Sequence, residues 1–160
     1  MSPVAIFAAL AGLPVCWTDR VDERKPQQLQ TVAVAVSEVA DSVDDAAALL
    51  AIAQNESSFS LSVHAGIDRG PGRGLWQLEG QGRRHAGPFV GLDLAATTNA
   101  ASVALFAWDH SWNCGKTLAD RFTAYAGRPC GVLWPSLKQR VATYWYVRSV
   151  MQKEIRGEQA

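Results

Sequence analysis

Apolar and small residues occupy every side of a helix drawn through residues 43–55, VDDAAALLAIAQN. A helix with no polar face is expected in the middle of a domain rather than on its surface. Ser42 precedes it as an N-cap, and Asp44 and Asp45 suit the positive end of its dipole. The flanking segments have one apolar face each. Leu29, Val32, Val36 and Val39 align within a helix predicted over 27–40, behind Pro26 at its first turn. Ala101, Leu105 and Trp108 align within 95–109, and residues 117–125 give a further short helix. A long last helix is predicted over 136–156, with Leu137, Val141, Tyr144, Met151 and Ile155 buried and a Ser136/Gln139 capping box at its start. Residues 2–17 are apolar but interrupted by Pro3 and Pro14, which predicts a short helix packed on the domain.

Eight of the thirteen glycines fall between Gly66 and Gly91, so this stretch is no regular helix. Residues 74–78, GLWQL, read as a short strand-like piece within a small irregular hairpin. Such a loop either lies slack on the surface or forms a cleft wall where backbone approaches a ligand. Trp76 and Gln77 among the glycines favour the wall. The expected fold is mainly α, with a small irregular β or loop region beside a central buried helix. Residues 1–160 are expected to form one domain, long enough to bury about two-thirds of the unfolded surface.

Charge and cysteines narrow the chemistry. Net charge is zero and no basic run stands out, which argues against nucleic acid as a partner and lends no attraction to acidic polymers. The apolar N-terminal segment is too short to span a bilayer, so stable membrane insertion is not expected. Its Leu13-Pro14-Val15-Cys16 run is only loosely like a lipoprotein signal. Three cysteines are present. Cys114 and Cys130 allow either a disulfide or two packed thiols, and Cys16 is left over. His64, His85 and His110 share no metal-ligand spacing, so no metal ion or cofactor is expected.

One carboxylate lies where chemistry could use it. Helical steps of three and four from Leu49 reach Ile52, Ala53 and then Glu56. Glu56 therefore continues a buried face, and desolvation there favours the protonated carboxyl that a general acid needs. The bland reading is a solvated glutamate at a helix end.

The residues around Glu56 add a resemblance. Asn55-Glu56-Ser57-Ser58-Phe59 followed by Gly74-Leu75-Trp76-Gln77-Leu78 resembles the E-S and G-L-M-Q signature of lytic transglycosylases and goose-type lysozymes. Asp68-Arg69-Gly70 resembles the goose-type form of the intervening loop, and Glu79 stands where that group tends to carry aspartate. Thr123-Ala124-Tyr125-Ala126-Gly127 resembles an A-Y-N-A-G element without its asparagine. The resemblance covers roughly residues 41–126. It implies a lysozyme-like fold and a monomeric peptidoglycan glycosidase that cuts the MurNAc-GlcNAc bond in the periplasm or cell wall, as a phage endolysin or virion lysin does. Glu56 would be the acid, with Asp68 or Glu79 as a second carboxylate if the bond is hydrolysed. Ser57, Trp76, Gln77 and Tyr125 would contact the glycan. Two other readings stay open. One is a non-catalytic glycan-binding or structural module of the same fold. The other is a cysteine hydrolase using Cys114 or Cys130 with His110.

Overall fold

A computed structural model of the chain describes residues 1–13, 26–57, 59, 74–78 and 92–157. The described residues form six helices and no strand: α1 (Pro3–Ala11), α2 (Pro26–Val39), α3 (Val43–Ser57), α4 (Thr97–Asp109), α5 (Leu118–Tyr125) and α6 (Pro135–Ile155). The mainly helical class read from the apolar periodicity therefore holds, and α2 to α5 match their expected spans closely.

α3 is the central element. Every residue from Ala46 to Gln54 is buried, as the absence of a polar face requires. Ser42 and Asp45 open the helix with a reciprocal box: each backbone N–H reaches the other's side-chain oxygen at 3.1 Å. The small side chains of Ala46, Ala47, Ala48, Ala51 and Ala53 let neighbours come close on several sides. α3 packs mainly along α6, and also meets α4 and α2, while α1 lies across α2 and α6. The start of α3 is tied to the middle of α6 as well. Asp44 accepts a hydrogen bond from the Tyr144 hydroxyl at 3.0 Å and another from Arg148.

α5 is held from both ends. Thr117 and Asp120 form a capping box at its start. Cys114 and Cys130 are joined by a disulfide, which closes a loop around the helix. Trp108, Phe122 and Tyr144 stack in succession, with ring centres 5.0 and 6.4 Å apart, and so connect α4, α5 and α6. Among the described residues no helix is long and apolar enough to cross a membrane.

Three local expectations are corrected. Residues 74–78 form a turn, not a strand. The Gln77 N–H donates to the Gly74 carbonyl, and both residues have positive φ, 51° and 67°. Left-handed backbone cannot continue an extended strand. The last helix starts at Pro135 after Trp134, with no side-chain cap. Pro135 supplies the first-turn geometry, so Ser136 already lies inside the helix and does not cap it. The buried face of α6 is Leu137, Arg140, Thr143, Tyr144, Val147 and Met151; Val141 is half-buried and Ile155 is exposed. The two faces share Leu137, Tyr144 and Met151, and the structure buries Arg140 where the sequence reading placed Val141.

Candidate active site around Glu56

Glu56 stands in the last turn of α3, where the buried helix emerges: its side chain is 24% exposed, whereas Ala53 beneath it has no exposure. The expected surround of apolar atoms alone is not what the carboxylate meets. Its Oε1 accepts a hydrogen bond from Arg140 Nη2 at 2.6 Å, reached across the α3–α6 packing. The Arg140 side chain is only 5% exposed, and its guanidinium lies 4.8 Å from the centre of the Trp134 ring. Arg140 Nε and Nη1 are buried and have no hydrogen-bond acceptor among the described residues.

The backbone after Glu56 turns sharply. Ser57 Oγ donates to the Ala53 carbonyl at 2.9 Å and accepts the Phe59 N–H at 3.1 Å. Ser57 is buried with both bonds made inside the chain, so it ends the helix rather than facing a ligand. Phe59 is fully buried with φ of 60°, a conformation rare for an aromatic residue outside a constrained turn. Asn55 is occupied similarly, its Nδ2 donating to the Ala51 carbonyl.

Trp76 is fully buried, and its indole N–H donates to the Leu49 carbonyl at 2.9 Å. It anchors the 74–78 turn on α3 about two helical turns before Glu56 and presents no surface to a ligand. The expected contact with glycan through its ring is thereby replaced by a structural role. Gln77, next along, is half-buried and its Nε2 reaches the Gly74 carbonyl at 3.2 Å. The carboxamide oxygen of Gln77 is its remaining acceptor.

Tyr125 ends α5 with its hydroxyl 3.4 Å from the Trp76 carbonyl. Burial is the main cause of an upward push on its pKa, the Glu56 charge adds to it, and Arg140 opposes it. The phenol therefore stays neutral as a hydrogen-bond donor within electrostatic reach of Glu56.

Comparison with known proteins adds no family. No family model, curated protein or solved structure matches the chain.

The sequence-derived set thus divides. Glu56, Ser57, Trp76, Gln77 and Tyr125 are linked through α3, the 74–78 turn and α5. Asp68 and Glu79 lie outside the described residues, as do Cys16, His64 and His85. His110 sits against Phe106, with Nδ1 2.8 Å from the Phe106 carbonyl. With Cys114 and Cys130 bonded to each other, neither sulfur is a free nucleophile, and the cysteine-hydrolase reading of that pair is set aside. Among the described residues no group of three or more His, Cys, Asp or Glu side chains could hold a metal ion.

Arg140 is the residue that sequence reasoning missed. A signal was present: residues 137, 140, 144, 147 and 151 follow steps of three and four, the repeat of one helix face. A charged residue at an apolar position of such a repeat calls for a buried partner.

Proposed function

We propose that the chain is a single-domain peptidoglycan glycosidase of lysozyme-like fold, with Glu56 as its general acid. The observation that carries this reading is the setting of Glu56. A carboxylate at the mouth of an otherwise buried helix is held by Arg140 from a second helix, and a neutral phenol from a third lies nearby. What sets the pair apart from an ordinary surface ion pair is the burial of its arginine, 5% exposed. The E-S and G-L-W-Q residues supply the substrate class, through their resemblance to the lytic transglycosylases and goose-type lysozymes.

In this reading Glu56 gives its proton to the glycosidic oxygen as the bond to the anomeric carbon breaks. The sugar passes through an oxocarbenium-like state. Two endings balance the reaction. Water attacks the anomeric carbon and gives a proton to a second carboxylate, Asp68 or Glu79, leaving a reducing end. Otherwise the muramyl 6-hydroxyl attacks, returns its proton to Glu56 and leaves a 1,6-anhydro end. The site of action would be the periplasm or cell wall, with a phage endolysin or virion lysin as the delivery context.

The Glu56–Arg140 ion pair favours a second reading, since it occupies one carboxylate oxygen as a structural pair does. In that reading the chain is a non-catalytic glycan-binding module. Mass spectrometry of peptidoglycan after incubation with the protein separates the two. Glycosidase action yields muropeptides with reducing or 1,6-anhydro ends, and intact sacculi would leave only the binding module.

A further inference from the structure

The segment between α5 and α6 leaves apolar side chains in water. Leu133 is 83% exposed, Val132 is about half exposed, and neither is part of the hydrophobic core. The tip they form is fixed at both ends. Before it, Cys130 is bonded to Cys114, and its Sγ lies 3.9 Å from the Asn113 carbonyl oxygen. After it, the half-buried Trp134 packs on the core, with its indole nitrogen 3.4 Å from Thr123 Oγ1. Between them the Val132 N–H donates to the Pro129 carbonyl, and Gly131 turns the chain with φ of 77° and open space beside it. Half-exposed Trp112 stands two residues from Cys114, at the same end of the molecule. Charge is uneven there too. Residues 110–138 carry four cations, Lys116, Arg121, Arg128 and Lys138, against one carboxylate, Asp120, although the whole chain is neutral. Asp120 is engaged in the cap of α5, and Arg121 lies between the Trp108 and Trp112 rings, 3.8 Å from Asp109. Lys116, Arg128 and Lys138 are exposed and form no ion pair among the described residues.

We propose that this tip seats the protein on the surface of a bilayer containing anionic phospholipid. Val132 and Leu133 enter the boundary between headgroups and acyl chains, while Lys116, Arg128 and Lys138 meet the lipid phosphates. Both halves of the pattern are needed to name the partner. An anionic polymer such as nucleic acid would use the cations and leave the apolar tip in water. A second copy of the chain would bring three cations against three like charges. Two aliphatic side chains on a projecting turn also offer little area for a stable protein interface. A lipid surface yields to a projecting tip, buries it and supplies the opposite charge. Trp112 and Trp134 suit the rim of such a contact, because indole rings favour the headgroup level. The attachment is peripheral and does not depend on the glycosidase reading.

The test is flotation of the whole oxidised protein with vesicles of phosphatidylcholine alone or mixed with phosphatidylglycerol. Wild type is expected to float with the mixed vesicles and to stay behind with the neutral ones. Leu133→Ser should bind the mixed vesicles at least about tenfold more weakly, since one buried leucine side chain is lost. Lys116→Gln with Lys138→Gln should also weaken binding by about tenfold or more. Raising salt from about 0.05 M to about 0.5 M should release wild type, because screening removes the attraction of the phosphates. Leu133 packs on nothing in the core, so Leu133→Ser should keep the wild-type Tm and its loss of binding reports the contact itself. No flotation of wild type, equal flotation with neutral and mixed vesicles, or undiminished flotation of Leu133→Ser would each overturn the proposal. Sedimentation without lipid gives the remaining outcome. A wild-type dimer that Leu133→Ser converts to monomer would assign the tip to a second copy of the chain and overturn the bilayer as its partner. Each of these results leaves digestion of peptidoglycan by Glu56 as a separate question.

Discussion

The indole nitrogen of Trp76 donates to the Leu49 carbonyl at 2.9 Å, fastening the 74–78 turn to the helix that carries Glu56. The Tyr125 hydroxyl reaches the carbonyl of the same tryptophan. One buried side chain thus sets the distance between the turn, α3 and α5. Trp76→Phe keeps an aromatic ring but loses the bond and leaves a void. The bond is worth about 0.5–1.5 kcal/mol and the void adds to it, for a total of roughly 2–3 kcal/mol. At about 2–4 °C per kcal/mol for a protein of this size, Tm should fall by roughly 4–12 °C. Calorimetry of the variant checks this; an unchanged Tm would mean that the turn is held elsewhere.

Gln77 separates bracing from binding. Its φ of 51° is strained for a residue with a Cβ, at a cost of about 1 kcal/mol, and its Nε2 bonds the Gly74 carbonyl. Gln77→Ala keeps the strain and loses the bond. Gln77→Gly loses the bond and relieves the strain, at some cost from a more flexible unfolded chain. The glycine variant should therefore melt no lower than the alanine variant. If the side chain also contacts glycan, both should lose activity to a similar extent. Full activity in Gln77→Gly would remove Gln77 from the binding residues.

The helices were legible because their apolar spacing is a direct record of which face meets the core. Residues 43–55 have no polar side, and the helix there is buried throughout. The 74–78 turn was misread because five residues are too few to separate alternation from chance, and the positive φ values at Gly74 and Gln77 leave no mark on hydrophobicity. Glu56 could be found by counting along its own helix. The steps of three and four through 137, 140, 144, 147 and 151 mark Arg140 as buried, but they do not say that its partner is Glu56, 84 residues earlier. A pairing made by tertiary packing has no local signature.

Asp44 gives the fold an acid-sensitive limb. The Arg148 hydrogen bond is the largest influence on its pKa, and with the Tyr144 hydroxyl it outweighs burial and holds the carboxyl below its ordinary value. A carboxyl with a depressed folded pKa contributes stability above its unfolded value, about 3.9, and loses it as pH falls through the folded value. Asp44→Asn should thus melt below wild type at pH 6–7. The gap should begin to narrow as pH falls below about 4, where the unfolded chain takes up the proton, and close once the folded carboxyl is protonated too. Melting curves at several pH values check the sign; a gap constant down to pH 2 would assign the loss to packing instead.

The Cys114–Cys130 bond closes a loop of sequence separation 16 around α5. Restricting the unfolded chain over roughly 15 residues is worth about 3 kcal/mol. Replacing both cysteines by serine should lower Tm by roughly 6–12 °C. Because α5 ends at Tyr125, the loss should also make activity fall with temperature sooner than in wild type. If the double variant and the reduced wild type both melt like the oxidised protein, α5 is held by its aromatic contacts alone.

Glu56→Gln tests structure and chemistry together. The amide has the shape of the acid, and its oxygen can still accept from Arg140 Nη2. It cannot supply a proton to a leaving oxygen, and it leaves a 5%-exposed guanidinium without a counter-charge. Exchange of a solvated glutamate would move stability by no more than about 0.5 kcal/mol. Loss of the charge from the hydrogen bond to Arg140 should cost more, about 1–3 kcal/mol. Removing the general acid should lower turnover on peptidoglycan by about 10²–10⁴-fold, with KM little changed. The two readouts have separate causes. A lowered Tm with activity above about a tenth of wild type would keep the ion pair and discard Glu56 as the acid. An unchanged Tm with activity abolished would keep the acid and show that the amide oxygen satisfies Arg140 as well as the carboxylate does. Both losses together are what the glycosidase reading expects, because in it the carboxyl group would serve Arg140 through one oxygen and the substrate through the other.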